Sequence, residues 1–484
     1  MIVPSKGSAA PTSWRLADVV RATGASVHCR GCFATFTAVG TDSRQLQPGA
    51  MFVALKGEHY DAHAFLGEVV RAGAAGAIVE HVPDELEERD DLTALVVPDT
   101  LRALQDLAAY RRHQLAPCVL AVTGSNGKTT TKEMLAAILA AAGGVAGVLK
   151  TQVNLNNLIG VPLTLLRLAG EQHAVVEMGM NTPGEIWRLA EIADPDVGVI
   201  TNVAPAHLEG LGSVDGVARA KGELFARMRR DAVAVVNADD AYVAALGDAF
   251  PGRVVRFTVA PDVAADVRAE DVRVGADGTA AFQLRAGDAA VAVHLQIAGR
   301  HNVANALAAA AAAHAVGVGL EAIAAGLGAA TAVGSRMRVH TLASGVTLVD
   351  DSYNANPASV AAALRSLHEA PAARRIAVLG DMLELGATSA ELHRGVGRLA
   401  AELGIDALYL YGDHAATTAA GAIDASTERG GSGGLTADAV RVFPTHAAVA
   451  AAVGALARRG DWVLVKGSRG QRMEEVVRLL GAAE

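Results

Sequence analysis

The most specific chemical signal in the sequence is a short glycine-rich segment that ends in a lysine and threonines. Its residues are Gly124, Ser125, Asn126, Gly127, Lys128, Thr129 and Thr130. Glycines let main-chain N–H groups curl around phosphate oxygens, and a helix that begins here adds the positive end of its dipole. Lys128 would reach the β- and γ-phosphates of a nucleotide, and the Thr129 hydroxyl would bind Mg²⁺. We predict a phosphate-binding loop in preference to a plain glycine turn, although Val122 replaces the first glycine of the usual P-loop.

Other polar residues follow buried apolar runs where each run ends. Glu177 follows the run 174–176, and His207 comes shortly after the run 197–201. Because the carboxyl ends of parallel strands meet at one edge of a sheet, these side chains are expected to share a crevice with the glycine-rich segment. A carboxylate and an imidazole there could hold a second Mg²⁺ or orient its waters. Each could also be a structural polar group, but the nearby phosphate loop favours the ligand interpretation.

Three further residues are ambiguous from local sequence alone. Lys221, by itself, is best explained as a solvated surface charge. Asn302 and Asn305 lie three residues apart and share one face of a predicted helix. Asn302 could cap that helix, or both amides could bracket the edge of an adenine. The sequence leaves both interpretations open.

The elements that must position these residues alternate between strands and helices. Apolar runs long enough for strands buried on both faces occur at 119–122, 174–176, 197–201 and 232–236. Helical patterns such as 130–142 separate them, so we predict an α/β chain with a doubly wound sheet. Residues 251–295 are expected to add antiparallel strands. A helix over 302–316 and a break at 326–334 should follow.

The length of 484 residues suits three domains. We predict a small α/β N-terminal domain over 1–113, a central doubly wound ATPase domain over 114–330, and a Rossmann-like α/β C-terminal domain over 331–484. The outer domains are expected to contain strands at 51–55, 77–79, 95–97, 347–349, 376–379, 407–411 and 462–465, a helix at 101–114, and a flexible surface loop at 428–435.

The composition excludes several classes of protein. Apolar residues make up 51 % of the chain and charged residues 19 %, which excludes global disorder. The net charge of −9 argues against nucleic-acid binding. No membrane span or secretory signal is evident. Cys29, Cys32 and Cys118 cannot build a disulfide framework, and the pair Cys29 and Cys32 lacks a second pair at zinc spacing. We expect a cytoplasmic monomer with ordinary loop or strand cysteines.

Taken together, these motifs resemble the Mur ligase superfamily over nearly the whole chain. The resemblance also rests on Thr41-Asp42-Ser43-Arg44, Asn154-Leu155-Asn156-Asn157, Gly299-Arg300-His301-Asn302, Tyr353-Asn354-Ala355-Asn356-Pro357, Gly380-Asp381-Met382-Leu383-Glu384 and Lys466-Gly467-Ser468. It implies an ATP-dependent amide ligase of the dipeptide-adding branch, which joins D-alanyl-D-alanine to UDP-N-acetylmuramoyl-tripeptide through an acyl-phosphate. A superfamily ligase that adds a single amino acid, and a nucleotide-dependent switch without ligation, are the alternatives.

The resemblance also implies roles for individual residues. Lys128 and Thr129 would serve ATP and Mg²⁺, Glu177 and His207 a second metal, and Lys221 would be carbamylated to orient Mg²⁺; Lys128, Lys221 and His207 are the expected catalytic set. Nucleotide contacts would come from Asn302, Asn305, Arg336 and Asp351. Substrate contacts would come from Ser43, Arg44, Thr151, Asn154 and Asn157. Two positions depart from the family pattern, since Ala62 and Val153 stand where glycine is usual.

Overall fold

The computed structural model describes residues 13–28, 32–57, 60–82, 91–428 and 435–482. Most of the loop predicted at 428–435 lies outside these ranges, and so does Cys29. Three large sheets organise the described residues, and each lies within one of the three predicted domains. The domain boundaries themselves stay predictions.

A nine-stranded sheet forms the centre of the molecule. Its strands, in spatial order, are Val148–Lys150, His173–Glu177, Cys118–Thr123, Val197–Ile200, Val233–Asn237, Arg253–Thr258, Val267–Val274, Thr279–Ala286 and Ala289–Ala298. The first seven run parallel, and Thr279–Ala286 is antiparallel to both of its neighbours, Val267–Val274 and Ala289–Ala298. The predicted buried runs are therefore parallel strands, and 251–295 adds both parallel and antiparallel strands.

Helices cover both faces of the central sheet, as expected for a doubly wound fold. The helices on one face are Lys128–Gly143, Asn302–Ala315 and Leu320–Ala329. The helices on the other face are Gly160–Leu165, Glu185–Ala193, Leu208–Leu211, Val214–Arg227 and Ala241–Asp248. Fully buried valines, leucines and alanines fill both interfaces, so the strands read as continuous apolar runs.

The N-terminal sheet has five strands and a separate two-stranded ribbon. The five strands, in spatial order, are Ser26–His28, Thr93–Val96, Gly76–Val79, Met51–Val53 and Val39–Gly40, and the ribbon pairs Trp14–Arg15 with Thr35–Phe36. The helical segments are Leu16–Thr23, Ser43–Gln45, Ala62–Phe65, Leu66–Arg71 and Thr100–Leu115.

The C-terminal sheet has six strands, of which the last five run parallel and the first is antiparallel to them. In spatial order they are Arg338–Thr341, Thr347–Asp351, Trp462–Lys466, Arg375–Gly380, Ala407–Tyr411 and Val440–Phe443. The longer helices are Pro357–Glu369, Ser389–Glu402, Ala415–Glu428, His446–Leu456 and Glu474–Ala482.

The helix Thr100–Leu115 joins the N-terminal sheet to the central one, and two buried arginines fix its end. Arg111 donates to the Leu168 carbonyl from two nitrogens, at 2.9 and 2.7 Å. Arg112 donates to the Ala193 carbonyl at 3.0 Å and forms an ion pair with Asp196 at 3.1 Å. The end of this helix is therefore bonded to the central domain.

Two expectations are wrong in detail. The predicted break at 326–334 starts inside the helix Leu320–Ala329. Gly326 does not end that helix but lets it pack closely, because a Cβ there would lie 2.3 Å from the Ile138 Cα. The expectation of ordinary loop or strand cysteines is wrong for Cys32, which is disulfide-bonded, while Cys118 is a free thiol.

Across the described ranges, no helix is long and apolar enough to cross a membrane.

Candidate active site

The glycine-rich segment connects the strand Cys118–Thr123 to the helix Lys128–Gly143. Gly127 has φ +81°, a left-handed conformation that side chains rarely adopt. A Cβ at Gly127 would lie 2.0 Å from the Asn305 Oδ1, and one at Gly124 would lie 1.8 Å from the Thr201 Oγ1. Both glycines are therefore required by conformation and by space.

The loop that follows the next parallel strand holds the glycine-rich segment from behind. Asn202 accepts from the Asn126 N–H through its Oδ1 at 2.9 Å and from the Ser125 N–H through its carbonyl at 3.0 Å. The Thr201 hydroxyl donates to the Asn126 carbonyl at 2.6 Å. Lys128 curls over the segment and donates from Nζ to the Gly124 carbonyl at 2.7 Å. These hydrogen bonds fix the shape of the segment.

Thr129, in the first turn of the helix Lys128–Gly143, contacts Glu177 at the end of the strand His173–Glu177. The Thr129 hydroxyl donates to the Glu177 Oε2 at 2.9 Å, and the Asn156 amide donates to the Oε1 at 2.9 Å. The Glu177 main-chain N–H donates to the Thr151 hydroxyl at 2.9 Å. A hydroxyl and a carboxylate are hard oxygen ligands of the kind Mg²⁺ prefers. Thr129, predicted to bind the nucleotide Mg²⁺, and Glu177, predicted to bind a second metal, are therefore in direct contact, and their roles toward a metal stay predictions.

His207 lines the same cleft as Glu177, but its hydrogen-bond partner belongs to the C-terminal domain. His207 Nδ1 lies 2.6 Å from the Glu384 Oε2, and the Glu209 N–H donates to the Glu384 carbonyl at 3.2 Å. The pKa of Glu384 is lowered, chiefly by its hydrogen bond to His207. No group of three or more histidine, cysteine or acidic residues suited to a metal occurs among the described residues. A metal-binding role for His207 stays a prediction.

Lys221 is 2 % exposed, so the interpretation as a solvated surface charge is wrong. It lies on the helix Val214–Arg227. Burial lowers its pKa well below the usual lysine value, and the positive charge of Lys128 lowers it further. Burial likewise lowers the pKa of Lys128, Glu177 opposes this shift, and Arg336 adds to it. The two lysines therefore interact electrostatically within one site.

Asn302 and Asn305 form a buried pair beside the glycine-rich segment. The Asn302 amide donates to the Ala298 carbonyl at 2.7 Å, and the Asn305 amide donates to the Asn302 Oδ1 at 2.8 Å. The helix begins at Asn302, and its capping position belongs to His301. The interpretation of Asn302 as a helix cap is therefore wrong, while an adenine contact stays a prediction.

The C-terminal domain supplies the opposite wall of the site. The Arg336 guanidinium stacks on the Tyr353 ring at 3.6 Å from its centroid. Asp351 pairs with the buried Lys466 at 2.6 Å and accepts from the Met337 N–H at 3.1 Å. Asn356 donates to the Asn126 Oδ1 at 2.8 Å, so this wall touches the glycine-rich segment directly.

One cleft of about 690 Å³ gathers most of the predicted residues. The predicted residues that line it are Ser125, Asn126, Gly127, Lys128, Thr129, Thr130, Asn154, Asn157, Glu177, His207, Asn302, Asn305, Arg336 and Asp351. Thr151 is fully buried, and its hydroxyl accepts a hydrogen bond from the main-chain N–H of Glu177, which lines the cleft. Gly124 and Lys221 lie outside the lining.

Ser43 and Arg44 lie outside this cleft, in the N-terminal domain. They form the short helical segment Ser43–Gln45, where the Arg44 guanidinium donates to Asp42 at 2.8 Å. This arginine holds the pKa of Asp42 at about 2. Their role toward a substrate stays a prediction.

The sequence assigned no individual role to several polar residues that the fold brings into the site. They are Lys132, Asn156, Asn202, Tyr353, Asn356, Glu384 and Lys466. Lys132 offered one usable signal: it lies three residues after Thr129 and so shares its helix face. The C-terminal residues lie in segments that carry the family resemblance, but the sequence did not show that Asn356 and Glu384 contact the central domain.

Comparison with known families agrees with this architecture along its length. The Mur ligase middle domain matches residues 122–313, the glutamate ligase domain of Mur ligases matches 335–469, and the Mur ligase family catalytic domain matches 35–112. The chain belongs to the Mur ligase family, and it is an ATP-dependent ligase that forms an amide bond. The predicted family and the three-domain α/β fold are confirmed.

The proteins similar to this chain include a curated relative and two solved structures. The chain is 43 % identical to the UDP-N-acetylmuramoyl-tripeptide–D-alanyl-D-alanine ligase of Escherichia coli strain K12, over 93 % of this chain and 95 % of the relative. A crystal structure of MurF from Acinetobacter baumannii superposes with a TM-score of 0.87 at 36 % identity, covering 97 % of this chain and 99 % of that one. MurF from Thermotoga maritima, solved in complex with ADP, gives a TM-score of 0.77 at 28 % identity, with 92 % and 97 % covered.

Proposed function

We propose that this protein joins D-alanyl-D-alanine to UDP-N-acetylmuramoyl-tripeptide at the expense of ATP, and so makes the pentapeptide precursor of peptidoglycan. One observation carries the proposal. The phosphate-binding segment, the Glu177 carboxylate, the Asn-rich stretch around Asn154 and the C-terminal wall all line a single cleft. A nucleotide, a peptide acid and an amine can therefore meet there, and the names of the relatives supply the substrates.

The chemistry requires activation of a carboxylate toward an amine. The γ-phosphoryl group of ATP would pass to the terminal carboxylate of the tripeptide, and the dipeptide amino group would attack the resulting acyl-phosphate and release phosphate. Lys128 would leave the Gly124 carbonyl to bind the phosphates, with the N–H groups of the segment around them. Arg336, held by Tyr353, would add a second positive charge from the C-terminal wall. Catalysis would thus rest on positioning and charge stabilisation.

Magnesium fits the oxygen ligands at Thr129 and Glu177, and His207 would supply a ligand to a second ion. Bound Mg²⁺ would neutralise the phosphate oxygens and keep them aligned. Asn156 holds the second oxygen of Glu177, so the carboxylate is already oriented. A set with few protein ligands suits Mg²⁺, which usually keeps waters and substrate oxygens in its shell.

Lys221 would act as a carbamate. Only a neutral amine attacks CO₂, and the lowered pKa of Lys221 increases the share of that form. The amine nitrogen would bond to the CO₂ carbon and release a proton, which turns a buried cation into an anion. Lys128, which repels the ammonium, would then attract the carbamate. The new carboxylate could orient a metal-bound water.

Ser43 and Arg44 would hold the uridine diphosphate end of the substrate, while Thr151, Asn154 and Asn157 would lie along its peptide. Asn302 and Asn305 would contact adenine, and Asp351 the ribose. Because the reaction consumes ATP, we place it in the cytoplasm. We also expect the protein to work as a monomer.

The deciding experiment supplies purified protein with ATP, Mg²⁺ and UDP-N-acetylmuramoyl-tripeptide, with and without D-alanyl-D-alanine. Mass spectrometry should find the pentapeptide and phosphate only in the complete mixture. The Lys128→Ala protein should give no product while keeping its thermal unfolding profile. Product from single amino acids but not from the dipeptide would reject the proposed acceptor. ATP binding without amine-dependent phosphate release would reject ligation itself.

A further inference from the structure

Lys132 is a buried lysine for which the mechanism above has no role. It is 1 % exposed and lies in the helix Lys128–Gly143, three residues after Thr129. Removing an ammonium group from water is strongly unfavourable unless nearby groups compensate its charge. Three oxygens do so. They are the Thr151 carbonyl oxygen at 2.8 Å, the Glu133 Oε1 at 2.9 Å and the Glu177 Oε2 at 3.8 Å from the Lys132 Nζ.

The two carboxylates near Lys132 differ in their other partners. Glu133 also forms an ion pair with Lys150, so two cations share its charge. Glu177 is 2 % exposed, and within the described ranges Lys132 is the one cationic side chain that forms an ion pair with it. Lys132 is therefore shared between Glu133, which has a second cation, and the proposed metal carboxylate, for which it is the ion-pair partner.

The Lys132 ammonium cannot easily move away from Glu177. Its hydrogen bond ends on the Thr151 carbonyl, and the Thr151 hydroxyl accepts the Glu177 N–H at 2.9 Å. Hydrogen bonds and an ion pair thus link Lys132, Thr151 and Glu177, so that the position of each restricts the other two. A metal ion arriving at Glu177 would meet a cation that stays in place.

We propose that Lys132 is the internal counter-ion of Glu177, and that it keeps the metal site empty until the nucleotide brings its own negative charge. A fixed cation beside the carboxylate opposes a second cation, and the phosphates of ATP reverse that balance. Lys132 is in this sense a positioning residue that makes metal binding depend on nucleotide. The inference rests on the proposed magnesium position at Thr129 and Glu177.

The test measures Mn²⁺ binding to the whole chain by electron paramagnetic resonance, with and without ATP. Lys132→Met keeps the length and apolar stem of the side chain but removes the charge. Without ATP, we expect this variant to bind Mn²⁺ at least about tenfold more tightly than the unmodified protein, because charge repulsion at such a short separation exceeds that factor. Lys150→Met is the matched control, since Lys150 contacts Glu133 and should leave the affinity unchanged.

Equal or weaker Mn²⁺ binding by the Lys132→Met protein without ATP would overturn the counter-ion role. Should that variant fail to fold, the double variant with Glu177→Gln must fold again, because neutralising Glu177 removes the uncompensated buried charge. A double variant that stays unfolded would refute the pairing. Absence of Mn²⁺ from the ATP complex of the unmodified protein would instead remove the magnesium position itself.

Discussion

Replacing Gly127 by alanine tests the phosphate-binding segment without touching a charged group. The added Cβ would adopt φ +81°, which costs an L-residue about 1–2 kcal/mol. It would also lie 2.0 Å from the Asn305 Oδ1, and moving Asn305 strains its hydrogen bond to Asn302, worth about 1 kcal/mol. The segment should adopt a different shape in the free protein, and restoring the ligand-binding shape should cost about 2–3 kcal/mol. This cost weakens ATP binding about 30- to 150-fold.

Isothermal titration with ATP and Mg²⁺ measures this loss directly. Gly144→Ala is a matched control, because Gly144 follows the same helix and has φ +87°, yet a Cβ there meets no atom within 4 Å. It should lower stability but leave ATP affinity unchanged. Asn305→Ala should make the Gly127→Ala change less harmful, since it removes the clash. An ATP affinity of Gly127→Ala equal to that of the unmodified protein would refute the assigned role of the segment.

Three further predictions concern other parts of the chain. Lys221→Ala should nearly abolish phosphate release, and a short carboxylic acid should restore part of it; full activity without the acid would contradict the carbamate. Val153→Gly should raise the free energy of unfolding by about 1 kcal/mol in urea titration, because Val153 has φ +49° and is 74 % exposed; no gain would contradict the strain. Burial raises the pKa of Cys118 to about 11 from 9.0, so its alkylation by iodoacetamide at pH 8 should be roughly 100-fold slower than in the unfolded chain, and equal rates would contradict the shift.

The proximity of Thr129 and Glu177 could be predicted from sequence because it follows from strand order within one sheet. Thr129 and Glu177 are 48 residues apart in sequence, yet Glu177 pairs in register with Val122 on the neighbouring parallel strand. Buried apolar runs identify such strands, and the polar residues after them must meet at one edge. Local pattern and sheet geometry were therefore sufficient here.

Contacts between domains could not be predicted in this way. Asn126 and Asn356 are 230 residues apart, and His207 and Glu384 are 177 apart. Their meeting depends on how two separately folded units pack, and hydrophobic periodicity carries no information about that. The burial of Lys221 and Lys132 was missed for a related reason, since a lysine in an amphipathic helix is ordinarily assigned to solvent.

The bonded end of the helix Thr100–Leu115 has a mechanical consequence for the opening and closing of the enzyme. Swinging the N-terminal sheet about this helix would break the bonds of Arg111 and Arg112 to main-chain carbonyls on the central domain. The C-terminal wall contacts the phosphate-binding segment and its neighbouring loop through exposed or half-buried pairs such as His207 with Glu384 and Asn126 with Asn356. Those contacts lie nearer the surface than the two arginine bonds, so we expect the C-terminal domain to move more readily than the N-terminal sheet when substrates enter and product leaves.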